Sequence, residues 1–305
     1  MNTLPGMLDS ILKGQVLPCE IILVNDGSTD DSLKVAKGYA DKYSFVKVFS
    51  QDHLGVSAAR NLGISMSTGY WISFLDADDY IEPDMYAKML EALEDVTESS
   101  TEDNNSDIDG CICGYFTHKD NIITPYFYED STTLTSKSML KAMFTEDAVR
   151  GFLFSRLFRA DLIKNLAFDP EISICEDLLF QTKLFSSSDV RLLTIPIPMY
   201  HYIQHQQSAT VTKEYFVNDT FIYKPAYDKI SSYVKAPFIP DSYNTILDHC
   251  MDSLLKQYRI SKSSDIRSQI RQLQKEMRNT KTPLAQKSKR RIAYEIAPVI
   301  LSRIT

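Results

Sequence analysis

Long apolar runs are missing from this sequence: none approaches the roughly 18 residues of a membrane-spanning helix. A secretory leader pattern is missing from its start as well. The chain is therefore expected neither to span a membrane nor to be exported, and to work in the cytoplasm. Cysteine is sparse. Cys19, Cys111, Cys113, Cys175 and Cys250 have spacings that fit neither a zinc site nor a disulfide framework. All five are expected to be reduced packing residues. Positive charge is in short supply. With 33 Lys and Arg against 40 Asp and Glu, the net charge is -7, and nucleic acid is not an expected partner. The shortage is uneven: from Lys213 onward, Lys and Arg outnumber Asp and Glu by 17 to 9. A basic C-terminal part on an acidic body predicts contact with an anionic membrane surface, although a solvated helical face would look the same.

What is present is an ordinary globular composition. At 44% hydrophobic and 24% charged residues, the 305-residue chain can bury a core. The length allows one large α/β domain with an appendage, or two modest domains. Leu4, Leu8, Ile11 and Leu12 share a helical face that Gly14 can end. "EIILVN" (20–25) is a continuous apolar strand. "DGSTDDS" follows, with Ser28 and Asp30 as candidate N-caps of a helix running to about Lys42. "VKVFS" (46–50) is the next strand, a helix opens near Val56, and "YWISFL" (70–75) is the third strand. Pro83 suits the first position of the following helix. This alternation predicts a mostly parallel sheet with helices on both faces. Residues 97–107 read as a polar surface loop, "IDGCICGYF" as a resumed strand, and about Ser136 to Asn165 as helical. Residues 174–185 open another helix, and "VRLLTIP" and "MYHYIQ" read as two short strands. From Tyr215 the pattern is helical and increasingly basic.

In parallel sheets ligands bind at the carboxyl ends of strands, and Asp26 and Asp76 both stand there. "WISFLDADDY" moves from apolar residues to Asp76, Asp78 and Asp79 within a few positions. At an effective dielectric of about 20, like charges about 4 Å apart repel by roughly 4 kcal/mol. Water, a helix N-terminus, a basic side chain or a bound cation must offset that. Asp76 and Asp78 can converge on a hard divalent cation, which takes oxygen ligands. An acidic turn capping the next helix gives the same tripeptide, and no calcium-loop glycine or glutamate follows. Asp26-Gly27-Ser28 allows a tight turn and close backbone approach to a ligand, or simply a cap loop. Arg60, behind the small residues Ser57, Ala58 and Ala59, can reach an anionic ligand or form a surface ion pair. Glu176-Asp177 can complement a helix dipole. It can equally supply a general base whose pKa is raised by burial or by its neighbour. His201 and His205 can be structural, complete a metal shell or touch a diphosphate.

Taken together, "EIILVNDGSTDDS", "GVSAARNLGI", "FLDADD", "CEDLLF" and "YIQHQQSAT" resemble the motifs of family 2 glycosyltransferases of the GT-A type. They stand in that family's order from about Leu4 to Thr212, some two thirds of the chain. The resemblance implies an α/β GT-A domain over 1–212, with a mostly parallel sheet flanked by helices, and a helical, basic extension over 213–305. It implies inverting transfer of one sugar from a nucleotide-diphosphate sugar, often a UDP-sugar, to a hydroxyl of a glycan or lipid-linked acceptor. Such transfer serves bacterial cell-surface polysaccharide or glycolipid synthesis. Asp26 would recognise uracil or ribose, with Gly27 and Ser28 in the same loop. Arg60 would lie beside the base, and Asp76 would touch the ribose or order the metal shell. Asp78 would ligate Mn²⁺ or Mg²⁺, with His205 completing the shell. Asp177 would be the base and Glu176 would orient the acceptor. The basic extension would sit at the inner face of the plasma membrane.

The sequence departs from the family pattern in three places. The apolar first strand, which ends in a Pro-X-Tyr-Asn-like turn, is not in the sequence, and Asn2 stands as the turn's last residue. Loss of that central strand would expose backbone groups on its neighbours. Asn25 replaces a frequent acidic residue. The Gln-X-X-Arg-Trp signature of processive synthases is absent, which implies single-sugar transfer. Two alternatives remain open at this point. One is a non-catalytic nucleotide-sugar-binding or scaffold protein. The other is a sugar-phosphate nucleotidyltransferase, disfavoured because no Gly-rich, Arg-containing loop opens the chain.

Overall fold

The computed structural model describes residues 3–99, 108–204 and 215–280, with Arg291 and Tyr294. No helix among the described residues is long and apolar enough to cross a membrane. The chain divides into two compact units, Met1–Ser208 and Ala209–Thr305.

The first unit opens with α1 (Leu4–Leu12), which buries Leu4, Met7, Leu8 and Ile11, the spacing of one helical face. Gly14 ends it with a backbone bond to Ile11, and a Cβ there would lie 2.8 Å from the Ile11 carbonyl oxygen. Strand β1 (Ile21–Asp26) pairs in parallel with β2 (Val46–Gln51) across the helix α2 (Ser32–Lys42). At the start of α2, the Asp30 carboxylate accepts from the Ser32 amide at 3.0 Å, and Ser28 makes no cap. Glu20, at the foot of β1, accepts from Lys47 and from the amides of Thr68 and Gly69. Burial alone would raise its pKa, but these bonds outweigh it and hold the carboxyl at about 2. The helix α3 (Val56–Met66) packs on β1 and leads to β3 (Trp71–Ile72), β4 (Tyr80–Ile81) and α4 (Met85–Ser99).

The rest of the unit is β5 (Gly110–Lys119), β6 (Ile122–Tyr126), β7 (Thr133–Thr135), α5 (Ser136–Thr145), β8 (Arg156–Arg159), α6 (Ala160–Lys164), α7 (Glu176–Ser187) and β9 (Arg191–Ile203). Its sheet runs β3-β8-β5-β9-β4, with β6 on β5 and β7 on β9. The α/β class expected from the sequence is present, but the sheet is mixed rather than mostly parallel. Among the described residues, β1–β2 and β5–β9 pair in parallel and the remaining pairs are antiparallel. For the β5–β6 pair the cause is local chain reversal. Asp120 and Asn121 both take positive φ and fold β5 tightly back onto β6.

Further differences from the sequence reading have physical causes. The stretch read as helical from Ser136 to Asn165 is interrupted by β8. Its residues Arg156, Leu157 and Phe158 are all buried, so no period-2 signal survives. The two short strands expected near 190–204 are one, β9, with a register shift opposite Gly114. Of the predicted loop over 97–107, residues 97–99 belong to α4, and 100–107 lie outside the described residues. All five cysteines are free, but Cys19 is exposed rather than packed.

Of "YWISFL", only Trp71 and Ile72 join a ladder, because β3 is paired with β8 on one side alone. Its other side, Trp71 to Leu75, faces a cavity of about 620 Å³ also lined by Ile21, Ile22, Leu23 and Val24 of β1. Among the described residues the two sheets share no ladder.

The second unit begins with a hairpin the sequence reading missed, β10 (Phe216–Val217) and β11 (Thr220–Phe221). Asn218 and Asp219 turn it with positive φ. The helices α8 (Lys224–Tyr233), α9 (Phe238–Ser261) and α10 (Ser264–Asn279) follow. Leu247, Met251, Leu254 and Leu255 of α9 meet Ile270, Leu273 and Met277 of α10 in a core of their own.

Candidate active site

Asp26 ends β1, and its carboxylate is fully engaged. It accepts from Gln51 Nε2 at 2.8 Å and from the amides of Leu54 and Gly55 at 2.6 and 2.8 Å. Burial opposes ionisation here, but these donors prevail and hold its pKa below the ordinary value. Gly27 has φ +70, and a Cβ on it would meet the His53 backbone at 3.0 Å. The Ser28 amide donates to Asn25 Oδ1 at 3.3 Å. These three residues thus shape the loops after β1 and β2.

The second group of predicted residues comes together from distant parts of the chain. Arg60 of α3 donates through Nη1 to Glu176 Oε1 at 2.6 Å and through Nη2 to Asp76 Oδ1 at 3.2 Å. Its guanidinium lies 5.5 Å from the centre of the Phe168 ring. The next residue, Asn61, fixes that ring's backbone by donating to the Phe168 carbonyl at 3.0 Å and accepting its amide at 2.8 Å. α3 therefore positions both the cation and the aromatic wall beside it. Neither Phe168 nor Asn61 was expected from the sequence, although adjacency to Arg60 was the available signal.

Asp177 sits beside Glu176 in the first turn of α7, which Cys175 enters with φ +60. Burial, and then the Glu176 charge, push its carboxyl up to about 7 against the pull of Arg60. Its contact among the described groups is the Leu178 amide at 2.8 Å. Behind it lies the fully buried Arg156, whose Nη2 donates to the carbonyls of Val149 and Arg150. Burial pulls Arg156 down to about 9, with Asp177 the leading charge acting the other way.

The three aspartates after β3 are thus treated differently. Asp76 shares Arg60 with Glu176. Asp79 is 3% exposed and accepts from the Tyr200 hydroxyl at 2.6 Å and the Ile203 amide at 2.7 Å. Burial, with the charges of Asp76 and Asp78 adding to it, raises Asp79 to about 8 against those two bonds. Asp78 is half-buried. The oxygen-only chemistry of Asp76 and Asp78 suits Mg²⁺ or Mn²⁺. Among the described residues, no group of three or more His, Cys, Asp or Glu is set to hold a metal. His205 lies outside the described residues. His201 instead bonds Glu82 at 2.9 Å and His118 at 2.8 Å, stacked on Tyr80.

Residues 2–137 match the model of Glycosyl transferase family 2. The glycosyltransferase EpsJ of Bacillus subtilis is 31% identical over 228 residues, covering 73% of this chain and 60% of that protein. The cholesterol galactosyltransferase of Borreliella burgdorferi is 32% identical over 199 residues, covering 60% of this chain and 52% of that protein. The chain thus spans between half and three fifths of the length of these relatives. The structure of S. aureus TarS 1-349 in complex with UDP-GlcNAc superposes with a TM-score of 0.61 at 18% identity, over 91% of this chain and 77% of that one. Residues 2–137, which carry Asp26, Arg60, Asp76 and Asp78, therefore belong to a family 2 glycosyltransferase domain, and the first unit has the GT-A fold.

Proposed function

We propose that this protein transfers a single sugar, with inversion, from a UDP-sugar to an acceptor hydroxyl in cell-surface polysaccharide or glycolipid synthesis. The observation that carries the reading is the pair Glu176–Asp177. One carboxylate is paired with Arg60, and the other is recessed and raised to about 7, the poise of a general base. Sugar donors bound by a solved structure of the same fold, and sugar-transferring relatives, support the same class.

In this reading the acceptor proton passes to an oxygen of Asp177. The acceptor oxygen bonds to the anomeric carbon as the bond from that carbon to the β-phosphate oxygen breaks, and UDP leaves with the electron pair. Attack opposite the leaving group inverts the carbon. Glu176 holds the acceptor side of the site through its pairing with Arg60. Arg60 and Phe168 offer a cation and a ring face to the nucleotide. Asp78, with Asp76 beside it, would hold Mn²⁺ or Mg²⁺, which when bound offsets charge on the departing diphosphate. The acceptor is a glycan or lipid-linked saccharide at the inner membrane face.

Calorimetric titration with UDP, with and without Mn²⁺, followed by turnover assays across UDP-sugars, tests the proposal. Metal-dependent binding with release of UDP is expected. UDP binding with no turnover for any donor would favour a nucleotide-sugar-binding scaffold instead.

A further inference from the structure

The second unit sorts its charges. On α10, Arg267, Arg271, Lys275 and Arg278 are all exposed. At 100° per residue they fall within an arc of about 80°, and over about 17 Å of helix. The buried side of the same helix carries Ile270, Leu273 and Met277. No acidic residue of α10 shares the basic arc, since Asp265 and Glu276 lie well outside it by the same spacing.

Several acidic groups around α9 and α10 are tied to neighbours within the unit. Glu276 accepts from the Tyr243 hydroxyl at 2.9 Å, Asp219 from Gln272 at 2.7 Å, and Asp248 from Arg291 at 2.8 Å. Asp252 is bonded by the Tyr294 hydroxyl. Beside the start of α10, the last turns of α9 and its cap add exposed Lys256 and Lys262 around Ile260, which is 89% exposed.

We propose that this face docks on an anionic phospholipid surface, with the α10 stripe against the headgroups and Ile260 dipping between them. Charge complementarity favours a negative partner. The large apolar side chain rimmed by lysines favours a lipid interface over a soluble polyanion. The assignment deepens the reading above only in where the protein works, and it needs no step of the transfer reaction.

The test uses the full chain, sedimented with vesicles of phosphatidylcholine alone or mixed equally with phosphatidylglycerol. UDP binding is measured on the same samples, so a fault in the donor site is seen separately. Binding to the mixed vesicles only, weakening as salt rises, is expected. The triple variant Arg267→Gln, Arg271→Gln, Lys275→Gln changes exposed positions to good helix formers. It should bind about a hundredfold more weakly, at roughly fivefold per lost charge, with unchanged melting temperature and UDP affinity. Ile260→Ser should weaken vesicle binding without altering its salt dependence. Equal binding to both vesicle types, or full binding by the triple variant, would overturn the proposal. So would tighter binding to soluble polyphosphate than to vesicles, which would assign the face to an anionic polymer.

Discussion

At Asp177 the proton is held by burial and by the neighbouring Glu176 charge, so the folded carboxyl titrates near 7 instead of its ordinary 3.8. Transfer, which needs the ionised form, is expected to rise through about pH 7 in a kcat/KM profile. The same shift acts on stability with the opposite sense. Between the two values the folded chain binds the proton and the unfolded chain has lost it, so this group's contribution falls as pH rises and is lowest above 7. Asp177→Asn should lose transfer by at least about a hundredfold, keep UDP affinity, and flatten that part of the stability profile in urea melts. Near-normal turnover would move the base elsewhere. Arg60 is the complementary case, because its side chain is 16% exposed and it faces Glu176, Asp76 and Asp177. Arg60→Met should cost about 3 kcal/mol in urea denaturation, since the carboxylates lose their partner. It should also push the acid limb of activity upward, since Arg60 opposes the rise at Asp177. An unmoved limb would show that Arg60 does not reach the base electrostatically.

Elements differ in how openly their residues announce them. The face of α1 and the arrest of β1 at Asp26 were legible, since periodicity and the abrupt change from apolar to acidic residues are local signals. The antiparallel half of the large sheet was not. Residues 110–115 and 156–158 are buried on both sides and show no alternation, so β8 was absorbed into a helix. The meeting of Arg60 with Glu176, 116 positions away, was legible only through the order of motifs. The engagement of Asp26 by the Leu54 and Gly55 amides was not legible, because backbone donors carry no sequence mark. Glycine positions give two opposite tests at this scale. Gly38 lies inside α2 with open space around its missing Cβ, and Gly38→Ala should raise stability by about 1 kcal/mol. Gly114 marks the register shift on β5, where a Cβ would come within 2.4 Å of Phe127 Cβ. Gly114→Ala should cost about 1–3 kcal/mol. Thermal melts of the two variants should therefore move in opposite directions.

For the molecule as a whole, the two sheets of the first unit have a consequence for how its backbone meets solvent. The Ile21 amide is bonded to Phe45 of the β2 side. In a parallel ladder successive amides of one strand point alternately to its two edges. The amides of Leu23 and Asn25 then face β2, and those of Ile22 and Val24 face the cavity they share with Trp71 to Leu75. Hydrogen–deuterium exchange resolved by residue should read this as a stutter along the strand, slow and fast in turn. It should do so even though α3 covers the strand. Uniform protection along β1 would mean that another extended segment occupies the gap in solution. An alternating record would mark these two edges as adhesive backbone, where crowded or unfolding copies could add strand to strand.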